Sequence, residues 1–468
     1  MATETLCFDG LLADNGSSWP VTVRYASRYS LWLRFDGKRP RTWPTEYEKL
    51  TVHVDGKAIE MGCCDLAAEP DGPDGEYRLV PKVSIHDVEQ LFFRSRVAVL
   101  ESAAVNLPLI LGYKQGIDPV FSHYVSDLTY DLSAYRTMFD EIDAGIVDEP
   151  EQVRSTLREG IVENIGTQLL DYLDAQYSRL RSITSAFADE QHERHGYFFR
   201  KQLWNVILCA PIMARTNLKP RGYIGDSEMM RMIYENAYRG ESTFGMILHK
   251  HAVRQPAADA VRNRRGSLVR ALQAFLANRT DCAGTGGSRV KVLSVACGPA
   301  AELSDMLQTR EDCERLHFSL LDQDRHALLE AASVVEGVER KLGTAVSSDF
   351  IRESVRTMLF TRELQERWGR FDFIYSMGLF DYLTRPVAVA VLTKLYSLLV
   401  PGGEILVGNF SVDNPTREYM AYWMDWTILY RTRSDMLSIA AEAGCAEPSV
   451  DGDDTGIQLL LRMKKPNG

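Results

Sequence analysis

Two carboxylates and a turn of small residues carry the chemistry most directly readable in this chain. Lys291-Val-Leu-Ser-Val-Ala-Cys-Gly-Pro-Ala-Ala-Glu302 passes from β-branched and leucine residues into small ones, and Glu302-Leu-Ser-Asp-Met-Leu307 can continue it as a helix. A buried strand, a tight turn and a helix N-terminus together bring backbone N–H groups against a ligand in an open α/β sheet. The same residues would also serve an ordinary strand–loop–helix packed through small side chains. Asp322 closes the next apolar run and Asp324 follows two residues on. A carboxylate so placed can accept both hydroxyls of a ribose. Ser347-Ser-Asp-Phe350 offers Asp349 as an acceptor for an amino group and Phe350 as an apolar wall beside a base. All three features belong at the carboxyl ends of parallel strands, near the point where strand order reverses.

The elements that would position them divide the chain in three. With 468 residues the sequence exceeds one ordinary core. Residues 1–86 carry short alternating runs, such as Trp19–Tyr25, Ser30–Phe35, Leu50–Val54 and Glu76–Val80, with Asp36-Gly37 and Asp55-Gly56 between them. That pattern predicts antiparallel strands in a small all-β barrel or sandwich. In 87–284 the period becomes helical. Val153, Leu157, Ile161, Ile165 and Leu169 recur every fourth residue and predict one long amphipathic helix. Glu89–Leu100 predicts a second helix, and His123–Phe139 is helical in part. Lys219-Pro-Arg-Gly-Tyr-Ile-Gly-Asp226 reads as a shaped loop between helices. The Arg262–Arg265 cluster can hold a phosphate or simply end a solvated helix. Asp281–Ser288 is a linker by composition. In 285–468 strands and helices alternate, which requires a mostly parallel sheet covered on both faces.

Composition narrows the partners. The 53 basic and 64 acidic residues give a net charge of −11, with no basic block or Arg/Lys-aromatic repeat, so a nucleic acid is not expected. No basic segment precedes an apolar core at the N-terminus, and no apolar stretch is long enough to span a bilayer. Eight scattered cysteines are few for a disulfide framework. A cytoplasmic protein with a small-molecule substrate is expected, and a homodimer is compatible with the sequence. No metal is expected: His192 and His195, or His249 and His251, lack companions at ligand spacing.

The turn is not Gly-x-Gly-x-x-Gly, and the acid falls 24 residues after Gly298 (322 − 298), so a nicotinamide dinucleotide fold fits poorly. The order of motifs instead resembles the class I S-adenosylmethionine-dependent methyltransferases over roughly 288–465. Phe371–Leu383 resembles their fourth-strand segment, and Leu398-Leu-Val-Pro-Gly-Gly-Glu-Ile-Leu406 resembles the turn before their fifth strand. Ser294 stands where that family often has an acid, and Ala296 and Ala300 replace glycines. The resemblance implies a Rossmann-like domain with S-adenosyl-L-methionine held by Ala296, Cys297, Gly298, Glu302, Asp322, Gln323, Asp349, Phe350, Ser376 and Met377. A narrower resemblance, carried by Arg221–Asp226, Met229-Met230, Phe244-Gly245, His249, Ala260–Arg264 and Ser294–Pro299, is to bacterial 3-hydroxypalmitic acid methyl ester biosynthesis proteins. It implies methylation of a fatty-acid or hydroxy-fatty-acid carboxylate. Another small aromatic or natural-product acceptor at O or N, or a non-catalytic regulatory protein, stays open. The N-terminal stretch resembles a PilZ-like barrel, but no arginine occurs before Arg24, so nucleotide binding there is not expected.

A carboxylate acceptor is ionised near neutral pH and needs placement more than a general base. His249, Arg254 and Tyr223 are the polar candidates for the catalytic site, each with a structural alternative. Arg221 or Arg254 can clamp a carboxylate in bidentate fashion. Tyr419–Trp426 with Tyr430-Arg431 forms either an apolar acceptor wall or a helix packed on the middle region.

Overall fold

Alternating apolar residues near the N-terminus form strands, as the period-2 pattern requires. The computed structural model describes residues 8–27, 30–37, 46–54, 57–60, 63–66, 76–81, 116–279, 289–361 and 363–467. The predicted helix at 89–100 and the linker at 281–288 lie outside them. The chain separates into two compact units, 1–116 and 117–468. In the first, β1 (Phe8–Asp14), β2 (Ser17–Ser27), β3 (Ser30–Phe35), β4 (Glu46–Tyr47), β5 (Lys49–Val54), β6 (Lys57–Glu60), β7 (Cys64–Leu66) and β8 (Tyr77–Pro81) pair antiparallel. Their order is β4-β7-β8-β3-β2-β1-β5-β6. Val21, Val23, Leu31, Leu33, Leu50, Val52 and Leu79 form its core. Asn15 and Gly16 both take positive φ, the geometry that turns β1 into β2. Among the described residues the expected small all-β part is an antiparallel sheet, in which β4 and β5, one residue apart, pair with β7 and β1 respectively.

The second unit opens with helices. Asp118 accepts a hydrogen bond from Phe121 N and caps the 27-residue helix Pro119–Gly145, with Pro119 preset in its first turn. The predicted continuous helix through 153–169 is two helices, Glu151–Asn164 and Gly166–Thr184. Its fourfold stripe is not one face, because each step of four residues turns about 40° past a full rotation. Val153, Leu157 and Ile165 accordingly end exposed, while Val162 and Leu169 are buried. Helices Asp189–Ile207, Pro211–Leu218, Ser227–Glu235, Thr243–Val253 and Pro256–Ala277 complete the layer.

The last helix leads to a seven-stranded sheet made of β9 (Val290–Val295), β10 (Leu316–Asp322), β11 (Ser347–Arg352), β12 (Phe371–Ser376), β13 (Leu399–Phe410), β14 (Ser449–Gly452) and β15 (Gln458–Lys464). The order is β11-β10-β9-β12-β13-β15-β14. β9 to β13 are parallel to their neighbours, whereas β15 runs antiparallel between β13 and β14. The chain moves outward from β9 through β10 to β11, then crosses to the other side of β9 for β12. That reversal opens a crevice at the carboxyl ends of β9 and β12.

The boundary expected at 285 does not separate two cores. Helical residues such as Phe121, Leu169, Phe199, Ile212 and Ile247 share one apolar cluster with Phe410, Tyr419, Trp423 and Ile457 of the sheet portion. Helix Arg417–Met424 is the link. Tyr419 stacks on Trp423 at 5.7 Å, and Tyr422 and Trp423 meet Phe199 edge-on. Of the two uses open to this aromatic segment, the helix part is packing against the middle region. No helix among the described residues is long and apolar enough to cross a membrane.

Arg431, buried at the sheet's carboxyl end, donates to Phe380 O at 2.6 Å and also to Leu383 O and Asn409 Oδ1. It thereby ties the segment after β12 to β13. Arg431→Ala leaves three buried acceptors without their charged donor. Urea unfolding is expected to show a loss of about 2–4 kcal/mol, with the slope unchanged.

Candidate functional site

The turn after β9 is shaped by alternating left-handed residues: Ala296, Gly298 and Ala300 have φ of 54°, 55° and 49°. Alanine adopts this conformation less readily than glycine, so the surrounding bonds must hold it there. Cys297 N donates to Leu321 O at 3.0 Å, and Ala300 N to Cys297 O at 3.0 Å. A Cβ placed on Gly298 would meet nothing within 4 Å, so its backbone faces open space. Successive backbone N–H groups in such a turn form an anion-tolerant concavity.

Asp322 fixes this turn to the next one. Its Oδ2 accepts from Gly298 N at 2.9 Å and its Oδ1 from Asp324 N at 2.9 Å. Burial raises its pKa, opposed by the N–H groups of Asp324 and Gly298. The Gln323 N–H also acts on this carboxylate, and its roughly four acceptor sites are not all taken by these donors. Gln323 beside it is exposed.

Asp324 caps helix Arg325–Leu342 through His326 N. It also receives Tyr223 Oη at 2.8 Å and an Arg221 guanidinium nitrogen at 3.0 Å. Arg221 continues to Glu330 at 3.0 Å and Ser227 Oγ at 2.5 Å. Arg221 and Tyr223 help hold the Asp324 carboxyl below its ordinary range, against its burial. The sequence thus identified a shaped loop at 219–226, and the structure lays that loop against the acid after β10. Its other side meets the segment after β12. Gly225, at φ +81°, lies so close to Tyr382 that a Cβ would fall 2.5 Å from the phenol oxygen. Trp426 Nε1 donates to the same oxygen at 2.9 Å.

Across the crevice, Ser376 Oγ donates to Val295 O at 3.0 Å and joins the ends of β12 and β9. Met377 is buried beside it. Glu302 accepts from Tyr375 Oη at 2.8 Å, and burial raises its pKa. Arg264, also buried, donates to Met377 O at 3.1 Å and points another nitrogen at Met230 Sδ, 3.4 Å away. Asp381 accepts from Phe410 N at 2.7 Å. Burial pushes its pKa up to about 6, opposed by that N–H and by the Arg264 and Arg431 charges.

The structure therefore gathers Ala296, Cys297, Gly298, Glu302, Asp322, Gln323, Ser376 and Met377 around the β9–β12 crevice, with Tyr223 on its rim. Asp349 and Phe350 are not brought to it. They lie within the edge strand β11, exposed, and Asp349 sits 3.1 Å from His317 Nε2. The strand actually ends at Arg352, opposite Asp322, and Glu353 N donates to Asp322 O at 3.1 Å.

His249 and Arg254 are also elsewhere. His249 is fully buried, Nδ1 accepts from Ile212 N at 3.3 Å, and Nε2 has no partner. Burial lowers its pKa to about 4, so it is a neutral packing histidine between two helices. Arg254 pairs with Asp174, which also meets His251 Nε2 at 2.9 Å, and His251 Nδ1 reaches Tyr419 Oη at 2.9 Å. That chain of bonds locks helix Arg417–Met424 to the helical layer.

Sequence reading held Arg264 only as one member of the Arg262–Arg265 cluster, and Asp381 and Tyr382 only within the Phe371–Leu383 segment, without a role for any of the three. Arg264 had a legible signal: it sits in the buried stripe Ala257, Ala260, Val261, Leu268, Leu272 and Phe275 of its helix. Arg262 and Arg265, its neighbours in the cluster, are taken up structurally, by Ile233 O and Val253 O and by Asp305.

No family model matches the chain, and no curated protein matches it. Solved structures resemble it distantly. A structure described as a possible exported protein from Bordetella parapertussis is 18% identical, covering 64% of this chain and 97% of its own, with a TM-score of 0.40. An O-methyltransferase family protein from Burkholderia thailandensis is 16% identical over 74% of this chain and 98% of its own, with a TM-score of 0.35. Magnesium protoporphyrin IX methyltransferase from Synechocystis PCC 6803, with bound SAM, is 12% identical over 44% and 83%, with a TM-score of 0.32. Likeness at this level carries no argument about the chemistry of this chain, which rests on its own geometry.

Asp381 makes stability depend on pH in a definite direction. Its folded pKa of about 6 lies above the ordinary 3.8, so its contribution is fully present below about pH 4. That contribution is lost as pH rises through 6. Asp381→Asn keeps an oxygen for Phe410 N without the charge. Chemical unfolding should show the variant gaining on the native protein by on the order of 3 kcal/mol between pH 4 and pH 7.5.

Proposed function

We propose that this chain is an S-adenosylmethionine-dependent methyltransferase acting on a small molecule. The observation that carries the reading is the crevice at the strand reversal, where the Gly298 turn and the Asp322 carboxylate are bonded into one unit. Two facts favour this cofactor over a nicotinamide dinucleotide. The turn has alternating left-handed residues without the Gly-x-Gly-x-x-Gly fingerprint. The sheet also inserts an antiparallel strand, β15, between the fifth and sixth parallel positions, which departs from the six-strand dinucleotide order 3-2-1-4-5-6.

The residues present fit the group. Asp322 retains acceptor capacity for a ribose hydroxyl, Gly298 leaves its side of the turn open, and Ser376 and Met377 wall the β12 end. Bound there, S-adenosylmethionine supplies an electrophilic methyl on a sulfonium. The adenine flank is assigned to the end of β11, with Arg352 and Glu353 nearer to Asp322 than Asp349 and Phe350. Arg221 and Tyr223 hold the 219–226 loop over Asp324, which covers this side of the crevice and limits water there. The Tyr223 phenol stays protonated, because burial and the Asp324 charge raise its pKa. Its role is therefore to position the loop, not to take a proton.

For the acceptor, the observations favour a small molecule of aromatic or natural-product type no less than a fatty or hydroxy-fatty acid. The aromatic helix at 417–424 is used for packing, which removes the wall first offered to an acyl chain. Tyr382, Trp426 and the partly buried Tyr430 remain beside the crevice, and such flat side chains suit a planar acceptor.

Calorimetry with S-adenosylmethionine and S-adenosylhomocysteine tests the reading directly. Saturable 1:1 binding is expected, and Asp322→Ala should weaken it at least about tenfold. A folded protein that binds neither compound would remove the enzyme reading. Radiolabelled methyl transfer to a panel of fatty, hydroxy-fatty and aryl acids, phenols and amines then identifies the acceptor. Product from long-chain acids alone would restore the acyl assignment.

Gly225→Ala gives a separate check on the loop. The added methyl must displace Tyr382 or the loop itself, in a backbone conformation that alanine resists. Turnover is expected to fall about tenfold or more, with the melting temperature lowered by only a few degrees.

A further inference from the structure

We propose that Arg264 is the anion site of the crevice, and that its guanidinium receives the α-carboxylate at the amino-acid end of the cofactor. This rests on the methyltransferase reading and names the residue that would discriminate within it.

Arg264 lies on the helix Pro256–Ala277, which precedes β9 in the chain, and only 8% of the residue is exposed. A buried guanidinium ordinarily has a carboxylate partner, because desolvating an unpaired charge is costly. Among the described residues, Arg264 has none within 4.0 Å. Its oxygen partner is one backbone carbonyl, Met377 O, and Met230 Sδ is a weak acceptor. Arg431, the other buried arginine at this end of the sheet, instead spends its donors on two carbonyls and an amide. Glu302 and Asp381 feel the Arg264 charge, but both stand beyond ion-pair distance and have partners of their own in Tyr375 and Phe410 N.

The place of the guanidinium selects the ligand end. Both of its terminal nitrogens lie 3.5 Å from where a Gly378 Cβ would be, so a side chain at 378 would crowd them. Gly378 follows β12, on one side of the β9 turn, whereas Asp322 closes β10 on the other. A nucleoside bearing an amino acid, with its ribose at Asp322, would extend past Gly298 towards β12. There the planar fork of Arg264 matches a carboxylate through two parallel N–H···O bonds.

The test compares S-adenosylhomocysteine with its decarboxylated analogue, S-adenosyl-3-thiopropylamine, by calorimetry on the full chain. Native protein is expected to prefer the carboxylate compound by about 30-fold or more. Arg264→Gln should cut that preference to within about threefold, through lost affinity for S-adenosylhomocysteine alone. Arg264→Lys should keep part of it as a point charge. A native protein that binds both compounds alike overturns the proposal, as does an Arg264→Gln variant that keeps the full preference or weakens both compounds equally. Because the native preference is read without any variant, the proposal stays falsifiable if Arg264→Gln fails to fold. Native protein that binds neither compound defeats the methyltransferase reading instead. Loss of turnover on carboxylate acceptors, with equal binding of both nucleosides, would move Arg264 to the acceptor and overturn its assignment to the cofactor.

Discussion

A single buried carboxylate holds the crevice together. Asp322 uses one oxygen on Gly298 N and the other on Asp324 N, so the turns after β9 and β10 cannot move independently. The bonds offset the cost of burying the acid, and they keep Ala296 and Ala300 in a conformation that alanine alone would leave. Everything proposed for ligand binding depends on this strap. A ligand entering the crevice meets a turn whose shape is already fixed, which reduces the ordering cost of binding.

From that strap the constraint passes to the helical layer. Asp324, oriented by Asp322, receives both Arg221 and Tyr223 from the 219–226 loop, and Gly225 allows the loop to touch Tyr382. Asp226 at the loop's end caps helix Ser227–Glu235 and takes Arg215 through both oxygens, at 2.7 and 2.9 Å. The loop is therefore anchored at both ends before it reaches the sheet. The shared apolar core behind it explains why: the helices and the sheet were not built as separate bodies, so the crevice has walls from both.

Much of the sheet was legible. β9, β10 and β12 coincide closely with apolar runs, since a strand buried on both faces reads as a near-continuous apolar stretch. The edge strand β11 was harder, because Ser347-Ser-Asp-Phe350 is largely polar and half-buried to exposed, and it read as the carboxyl end of a strand. That one misreading displaced the expected base site from the strand's end to its middle. β14, four residues with an alternating polar pattern at the opposite edge, gave even less signal. In the helical layer, counting every fourth residue merged two helices into one, because a fourfold repeat drifts around a helix that turns every 3.6 residues.

Sequence by itself determined the α/β order, the Gly298 turn, the acid at 322 and the loop at 219–226. Each is a local pattern whose physics acts over a few residues: hydrophobic period, small side chains, a carboxylate ending a strand. Tertiary structure decided which charged side chains face the crevice. His249 and Arg254 share their polar character with Arg264 and Asp381, yet the first two are consumed by helix packing and the last two stand at the strand ends. That distinction lies in contacts between residues far apart in the chain, such as Arg264 with Met377 and Asp381 with Phe410, and no local spacing encodes it.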